Sequence, residues 1–401
     1  MLFLTYRFPF PADRGDRLTV YHLLRALSAA GHEVTLVSFT DGREPPEAFE
    51  RVSAFCARIE TVHLAPLRSW LQAWAGLPLF RPSQISYYRS AGMKALIDRL
   101  LAGADYDIVF AHMIRMAPYG AAARHPLKVL WIGDSLGLAL GRSLRFAPFW
   151  RRPGIAWERW RVDRFTGRVS RSFQDNWALS DDDLSDERRI GCVNQTLVRH
   201  GVDERLLGLA RIPSPVPSVV FLGNLSVPHN VDAATYAARE IWPAIRAEFP
   251  QARLRLTGAD PSPAVQRLAR IPGVEVTGPV PDLLDLWASA SVLLAPLRFS
   301  TGIQNKVLEA MAGGVPVVTT PRVAEAIGAR DGEHLLAADG AGALAAAVLR
   351  TLRDPAGAQA RAGRAREHVR ARFSWGTAVR RLEQLVAERE RGRGASPPAL
   401  R

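Results

Sequence analysis

In the stretch STGIQNKVLEAMAGGVPVVTT, residues 300–320, a lysine and a glutamate, Lys306 and Glu309, stand three residues apart just after a glycine, Gly302. That spacing puts both side chains on one face of a helix. A glycine at the mouth of the helix lets backbone N–H groups approach a ligand closely. The first turn offers N–H donors without intrahelical partners, at the positive end of the helix dipole. Lys306 and, upstream, Arg298 add side-chain positive charge, so a diphosphate is the natural guest. An ionised carboxylate only accepts hydrogen bonds, which suits Glu309 to the paired hydroxyls of a ribose or sugar. The plain alternative is a surface helix with an ordinary Lys–Glu pair. AMAGGVPVVTT is structural: small residues let the helix lie close on a sheet, and Val317 and Val318 fill a strand.

Other residues admit two readings each. PADRGDR (11–17) is a glycine loop between a strand and a helix. Gly15 would let the loop face donor phosphates or an acceptor, with Arg14, Asp16 and Arg17 beside it, or the loop is a turn with solvated charges. His112 ends the run DIVFAH, where a lone histidine is commonly just hydrogen-bonded. Asp134 follows LWIG and either positions an acceptor hydroxyl or caps the next helix. Residues 142–171 carry nine arginines against two acids, interleaved with Phe146, Phe149, Trp150, Trp157, Trp160 and Phe165. That mixture suits an anionic membrane surface. It equally describes a helix pair with core aromatics and solvated arginines.

The elements that must position these groups alternate regularly. LFLTY (2–6) precedes a helix with Val20, Leu23, Leu24 and Leu27 on one face; Gly31 ends it, and HEVTLVSF (32–39) follows as a strand. This is a βαβ unit with parallel strands. Residues 107–112, 128–133 and 175–180 continue the pattern. After the proline-rich RIPSPVPS (211–218) it restarts, with strands at 218–224, 252–258, 274–278, 291–297 and 315–320. The expected fold class is α/β, two doubly wound Rossmann-like domains facing across a cleft, with ligands at the carboxyl ends of the strands. The expected boundaries are 1–212, 213–374, a C-terminal helix over 375–391 returning to the first domain, and a disordered tail over 392–401. The 401 residues, 48% apolar, match two such domains.

The net charge of +13 fits nucleic acid, an anionic membrane surface or phosphorylated small molecules. Cys56 and Cys192 are too few and too far apart for a metal cluster or a disulfide framework, which fits a reducing cytosol. MLFLTYRF reads as a first strand rather than a targeting segment. No run approaches the about 18 uncharged apolar residues of a membrane span.

Taken together, GIQNKVLEAMAGGVPVV resembles the donor-site motif of GT-B glycosyltransferases, especially the retaining family-four group. FPADRGDRLTVYHLLRALSAAGHEVTLV (10–37) resembles that family's opening strand–loop–helix–strand. VRHGVDERL (198–206) resembles its turn before the linker, with His200 where Asn is usual. VVFLGNLSVPHNVDA (219–233) resembles the strand and glycine loop that open its donor domain, and FSW with the last helix resembles its closing segment. Within the family the chain looks closest to sugar transferases of exosortase and exopolysaccharide systems. Two positions depart from the pattern. Thr301 stands where the first acid of Glu-x7-Glu is usual, Glu309 matching the second, and His229 and Asn230 stand where the family has an Arg and a Lys.

The resemblance implies sugar transfer from a nucleotide-sugar, UDP- or GDP-linked, to a glycan or lipid-linked hydroxyl acceptor in cell-surface or exopolysaccharide synthesis. It implies retention, no metal and no cofactor beyond the donor. His112, Arg298 and Lys306 would be catalytic. Gly15, Gly223, Asn224, Thr301, Gly302, Ile303, Gln304, Asn305 and Glu309 would bind donor. Arg14, Asp16, Arg17 and Asp134 would lie on the acceptor side. The expected location is cytoplasmic, with peripheral contact at the inner membrane face through 142–171 as an added option, and no nucleic-acid partner is expected. A nucleotide-sugar epimerase of the same architecture and a non-catalytic nucleotide-sugar-binding subunit are the alternatives.

Overall fold

Short apolar runs that are buried on both faces read as near-continuous Val, Leu, Ile and Phe, the signature of parallel strands covered by helices. The computed structural model describes residues 1–394 apart from 12–14, 77–79, 134, 145–146, 200, 213, 281 and 300–302. Arg14, Asp134, Thr301, Gly302 and the last seven residues of the expected tail therefore lie outside the described residues. The chain divides into two units, Met1–Gly201 with Trp375 onward, and Val202–Ser374.

The first unit holds seven parallel strands: β1 (Leu2–Thr5), β2 (Thr35–Thr40), β3 (Arg58–His63), β4 (Val109–His112), β5 (Lys128–Gly133), β6 (Asp175–Ala178) and β7 (Gln195–Leu197). Their order in the sheet is β3-β2-β1-β4-β5-β6-β7. The second unit holds β8 (Ser218–Leu222), β9 (Arg253–Thr257), β10 (Val274–Gly278), β11 (Val292–Ala295), β12 (Val317–Thr319) and β13 (Leu336–Ala337), in the order β10-β9-β8-β11-β12-β13. Both are doubly wound sheets, with the strand order reversing between β1 and β4 and between β8 and β11. In such sheets the carboxyl ends at the reversal form the natural ligand crevice, because the flanking connections leave to opposite faces.

The expected strands are present, and three were not foreseen. β3, RIETVH, is half-exposed at a sheet edge; β7 and β13 are edge strands of three and two residues. An edge strand needs no continuous apolar run, so the pattern that reveals the buried strands is missing there. The first helix buries Val20, Leu23, Leu24 and Leu27 as read from the sequence. In the second unit the helix Pro228–Tyr236 passes through a π-helical turn, Ala237–Ile241, into Trp242–Glu248. Pro243 accounts for that turn: it has no N–H to donate, and its ring displaces the carbonyl four residues back.

The boundary falls at 201/202 rather than 212/213. Val202 N donates to Phe373 O at 3.1 Å, Ile212 N to Ala288 O at 3.0 Å and Ser214 N to Ser289 O at 3.1 Å, so the proline-rich segment is bonded onto the second unit. The last helix, Trp375–Gly394, belongs with the first unit and takes in residues 392–394 of the expected tail. Trp375 packs on Gly201, where a Cβ would stand 2.3 Å from the indole. Arg381 Nε donates to the buried Asp175 at 2.8 Å, and His32 meets Glu383 at 3.1 Å.

The first unit also buries a group of acids on the helix Asp181–Arg189. Asp183 and Asp186 bond the backbone N–H and hydroxyl of Ser135, both at 2.9 Å. Glu187 is fully buried; Gln195 donates to one of its oxygens at 2.7 Å, and the other has no partner. Burial, reinforced by Asp183, pushes its carboxyl up from 4.5 to about 9. The native state thus holds a proton the unfolded chain releases, and stability falls as pH rises from 4.5 to about 9. Glu187→Gln removes this term. Thermal melts across that window are expected to show the variant gaining on the parent as pH rises; parallel melting curves at every pH would refute the assignment.

Candidate functional site

The second unit's site is built at the β8/β11 reversal. After β8 the chain turns through Gly223 and Asn224 into the helix Pro228–Tyr236; after β11 it leads to the helix Asn305–Ala312. Gly223 has no room for a side chain, since a Cβ there would stand 2.8 Å from Asn230. Gly258, at the end of β9 with φ +143°, lies against it: a Cβ on Gly258 would come within 1.8 Å of the Gly223 carbonyl oxygen. The two strand-end glycines let the loops touch backbone to backbone. Gly258 was missed in the sequence, although LTG after β9 repeats the pattern of FLG after β8.

Lys306 and Glu309 both point inward, at 8% and 7% exposure. Lys306 Nζ donates to Asn230 Oδ1 at 2.6 Å and lies 4.8 Å from the Phe221 ring centroid. Asn230 Nδ2 donates in turn to Asn224 O at 3.0 Å, so the amide links the lysine to the glycine loop. An Asn where the related pattern has a cation makes sense here, because a second positive charge beside a buried ammonium would be costly. The Glu309 carboxylate has no hydrogen-bond partner among the described residues and makes no ion pair with Lys306, while the Glu309 backbone carbonyl accepts from Gly313 N at 2.8 Å. Burial lowers the Lys306 amine and raises the Glu309 carboxyl, each partly offset by the other's charge. The result is a buried donor and a buried acceptor one helical turn apart, each stabilised in its charged form by a suitable ligand.

The other expected donor residues divide. Gln304 is buried at the helix entry, with Ile303 against the core and Asn305 opening the helix. Asn224 spends its side chain on a turn: Nδ2 donates to Asp260 at 3.0 Å, and Oδ1 accepts from Ser226 N at 3.0 Å and from Ser226 Oγ at 2.6 Å. Arg298 is not grouped with Lys306; its guanidinium forks onto Asp232 and lies 4.5 Å over the Tyr236 ring. The two cations thus use positions of one helix two residues apart, Asn230 and Asp232, which face different sides.

In the first unit the β1/β4 reversal gathers its own cluster. His112, at the end of β4, is buried; its Nδ1 lies 3.4 Å from Thr5 Oγ1, and its ring meets Trp131 edge-on at 5.7 Å. Asp16 follows Gly15, which opens the first helix, and is held rather than free: it accepts from the Tyr6 hydroxyl and from Arg7 Nη1, the latter at 3.0 Å. Burial alone would raise the Asp16 carboxyl, but the Tyr6 hydrogen bond and the Arg7 charge outweigh it and hold the group below its usual range. Arg115 lies 4.4 Å over the Tyr6 ring. Tyr6, Arg7 and Arg115 were missed; their signal was position, directly after β1 and β4. Arg17 lies in the first turn of the first helix, with a buried Nε.

Residues 142–171 reverse the plain reading of their composition. Phe149 is 81% exposed and Trp150 62%, Trp157 and Trp160 are nearly half exposed, whereas Arg161 is buried. Phe165 packs on the core, and Phe146 lies outside the described residues. No described helix is long and apolar enough to cross a membrane. Among the described residues no group of three or more His, Cys, Asp or Glu is arranged to hold a metal ion.

Two family models match the chain: a glycosyl transferase 4-like domain over residues 15–201 and glycosyl transferases group 1 over 216–354. A glycogen synthase of Mycobacterium tuberculosis is 26% identical over 428 residues, spanning 100% of this chain and 97% of that protein. Among solved structures, sucrose-phosphate synthase from Thermosynechococcus elongatus superimposes with a TM-score of 0.70 at 19% identity, covering 98% of this chain and 99% of that one. HepE of Anabaena, solved with UDP and glucose, gives 0.67 at 16% identity over 96% and 98%. WaaG, a glycosyltransferase involved in lipopolysaccharide biosynthesis, gives 0.62 at 17% identity over 94% and 98%.

The half-buried His229 reports on the lysine. Burial first, and the Lys306 charge second, lower its imidazole to about 4. NMR titration of the ring protons is expected to find His229 neutral throughout the physiological range. In Lys306→Met the midpoint should move up while staying below the ordinary value, because burial remains. An unchanged midpoint would mean the two groups do not share one site.

Proposed function

The chain is a glycosyltransferase of the GT-B fold, and from that premise we propose that it moves a sugar from a nucleotide-sugar to a hydroxyl acceptor. The acceptor in this reading is a glycan or lipid-linked sugar of cell-surface or exopolysaccharide synthesis, in the branch associated with exosortase systems. The sugar is transferred with retention and without a metal ion. The single observation that carries the reading is the buried Lys306–Asn230 contact beside the partnerless Glu309 carboxylate. A UDP donor is favoured because HepE was solved with UDP and with UDP-glucose; a GDP donor is the other candidate.

In this reading the diphosphate takes the Lys306 ammonium and the N–H groups at the start of the Asn305–Ala312 helix, and the ribose hydroxyls donate to Glu309. As the glycosidic bond to the diphosphate breaks, negative charge grows on the leaving oxygen. A preorganised cation and helix terminus stabilise that charge without reorganisation. Arg298 is the second cation, exchanging Asp232 for phosphate when donor binds. In the first unit, His112 is assigned to the transferring sugar, and Arg14, Asp16, Arg17 and Asp134 to the acceptor side. Tyr6 and Arg7 fix Asp16 in its charged form. Residues 142–171 make the proposed peripheral contact with a membrane.

The pKa directions set the pH dependence of nucleotide binding. Lys306 titrates below its ordinary value, so rising pH removes the cation and weakens anion binding. Glu309 titrates above its ordinary value, so falling pH protonates the acceptor of the ribose hydroxyls. Calorimetric titration with UDP and GDP is expected to give a bell-shaped affinity profile. Lys306→Met should lower affinity about ten- to hundredfold, the worth of a hydrogen bond to a charged group, and flatten the alkaline limb; Glu309→Gln should flatten the acid limb. A folded protein that binds neither nucleotide at any pH overturns the reading, and UDP-sugar epimerised without acceptor would identify an epimerase instead.

A further inference from the structure

A cavity of about 840 Å³ opens on the first unit, walled by residues 80–94, 118–122 and 161–172. It adjoins the cluster after β1 and β4, since Tyr88 in its wall packs edge-on against Tyr6 at 5.2 Å, and six cations line it: Arg81, Arg89, Lys94, Arg161, Arg164 and Arg168, with no acid in the lining. Lys94 is paired with Asp98 and Arg161 with Glu158. Among the described residues the other four arginines have no ion-pair partner. One sign of charge around a concave surface focuses the field and attracts a counter-ion.

Three further features make this more than a basic patch. Arg161 is 3% exposed; Nη1 donates to Arg81 O at 2.8 Å and Nη2 to Ser83 Oγ at 3.3 Å, but its buried Nε has no partner. The buried Ser86 hydroxyl, also in the lining, has none either. The helix Ala91–Gly103 begins in the wall, turning its positive end toward the cavity. The rim is aromatic. Phe80, held at φ 54°, packs edge-on against Trp157 at 5.5 Å and Trp160 at 6.2 Å. A left-handed phenylalanine is strained and persists only where its surroundings fix it. The neighbouring helix Pro66–Ala75 leaves Leu67, Trp70, Leu71 and Trp74 exposed, and Trp70 reaches the cavity wall through Tyr87 and Tyr88.

We propose that this cavity is a headgroup site for a phosphate-bearing lipid, the phosphate seated among the arginines and the hydrocarbon leaving over the Phe80–Trp157–Trp160 rim and the exposed face of residues 66–75. Arginine forks match phosphate oxygens, and exposed Trp and Leu beside them suit the boundary between headgroups and acyl chains. A soluble phosphate would need the cations but not the apolar collar. The inference rests on, and deepens, the peripheral-membrane part of the functional reading. Donor binding by the second unit is measured on the same samples, so failure of one is distinguishable from failure of the other.

The test is co-sedimentation of the full chain with phosphatidylcholine vesicles, with and without phosphatidic acid, beside calorimetric titration with pyrophosphate. The paired variant Arg164→Glu/Arg168→Glu alters two exposed side chains, and Trp157→Ser/Trp160→Ser alters the rim. Arg267→Glu/Arg270→Glu makes the same charge change on the second unit. Phosphatidic acid is expected to bring the parent down with the vesicles. The first two variants should lose at least about tenfold in affinity, each basic side chain near an anionic surface contributing measurably, while the second-unit control retains binding. Equal losses in the control, or binding to pyrophosphate that the rim variant leaves intact while vesicles are ignored, would overturn the proposal.

Discussion

A parallel sheet sends every strand's carboxyl end to one edge, and where the strand order reverses, the connections on either side part and leave that edge open. Both strand-end clusters follow from this constraint acting twice. In the second unit the reversal between β8 and β11 brings the Gly223 loop and the Lys306 helix together. In the first, the reversal between β1 and β4 brings Tyr6, Arg7 and Asp16 to His112. Neither cluster is local in sequence; the sheets make them neighbours.

Within the second cluster the decisive term is electrostatic. A buried ammonium is tolerated only with acceptors close by, and Lys306 has one neutral acceptor, Asn230, with Glu309 a turn away. Such an arrangement leaves the lysine under-stabilised as a cation and the carboxylate under-stabilised as an anion. The proposed donor, a diphosphate joined to a ribose, would complete both. The cost of holding the groups this way is carried by the packing around them, where Val307, Leu308, Ala310 and Met311 are fully buried on the same short helix.

The first unit shows the opposite balance. Asp16 is over-satisfied, with a phenol and a guanidinium both donating to it, so it stays charged and fixed. The basic, aromatic segment after β5 inverts the usual partition: an arginine is taken into the interior to bind backbone and hydroxyl groups around residue 81, while tryptophans stand in solvent. That inversion is what turns a charged composition into a shaped cavity.

The sequence by itself determined the α/β alternation, the two-unit organisation and the single helix face bearing Lys306 and Glu309. Each of these depends on local periodicity or on a short motif whose geometry the backbone dictates. That this face turns inward is a tertiary outcome. Edge strands β3, β7 and β13 escaped because half-exposed strands carry no apolar run. Only the tertiary structure decided the partners: Asn230 for Lys306 across 76 residues, Asp232 for Arg298 across 66, and Arg381 for Asp175 across 206. It also decided that Arg161, not its aromatic neighbours, would be buried. A charged side chain's environment is set by whichever distant elements the sheet order brings to it, and no spacing along the chain encodes that.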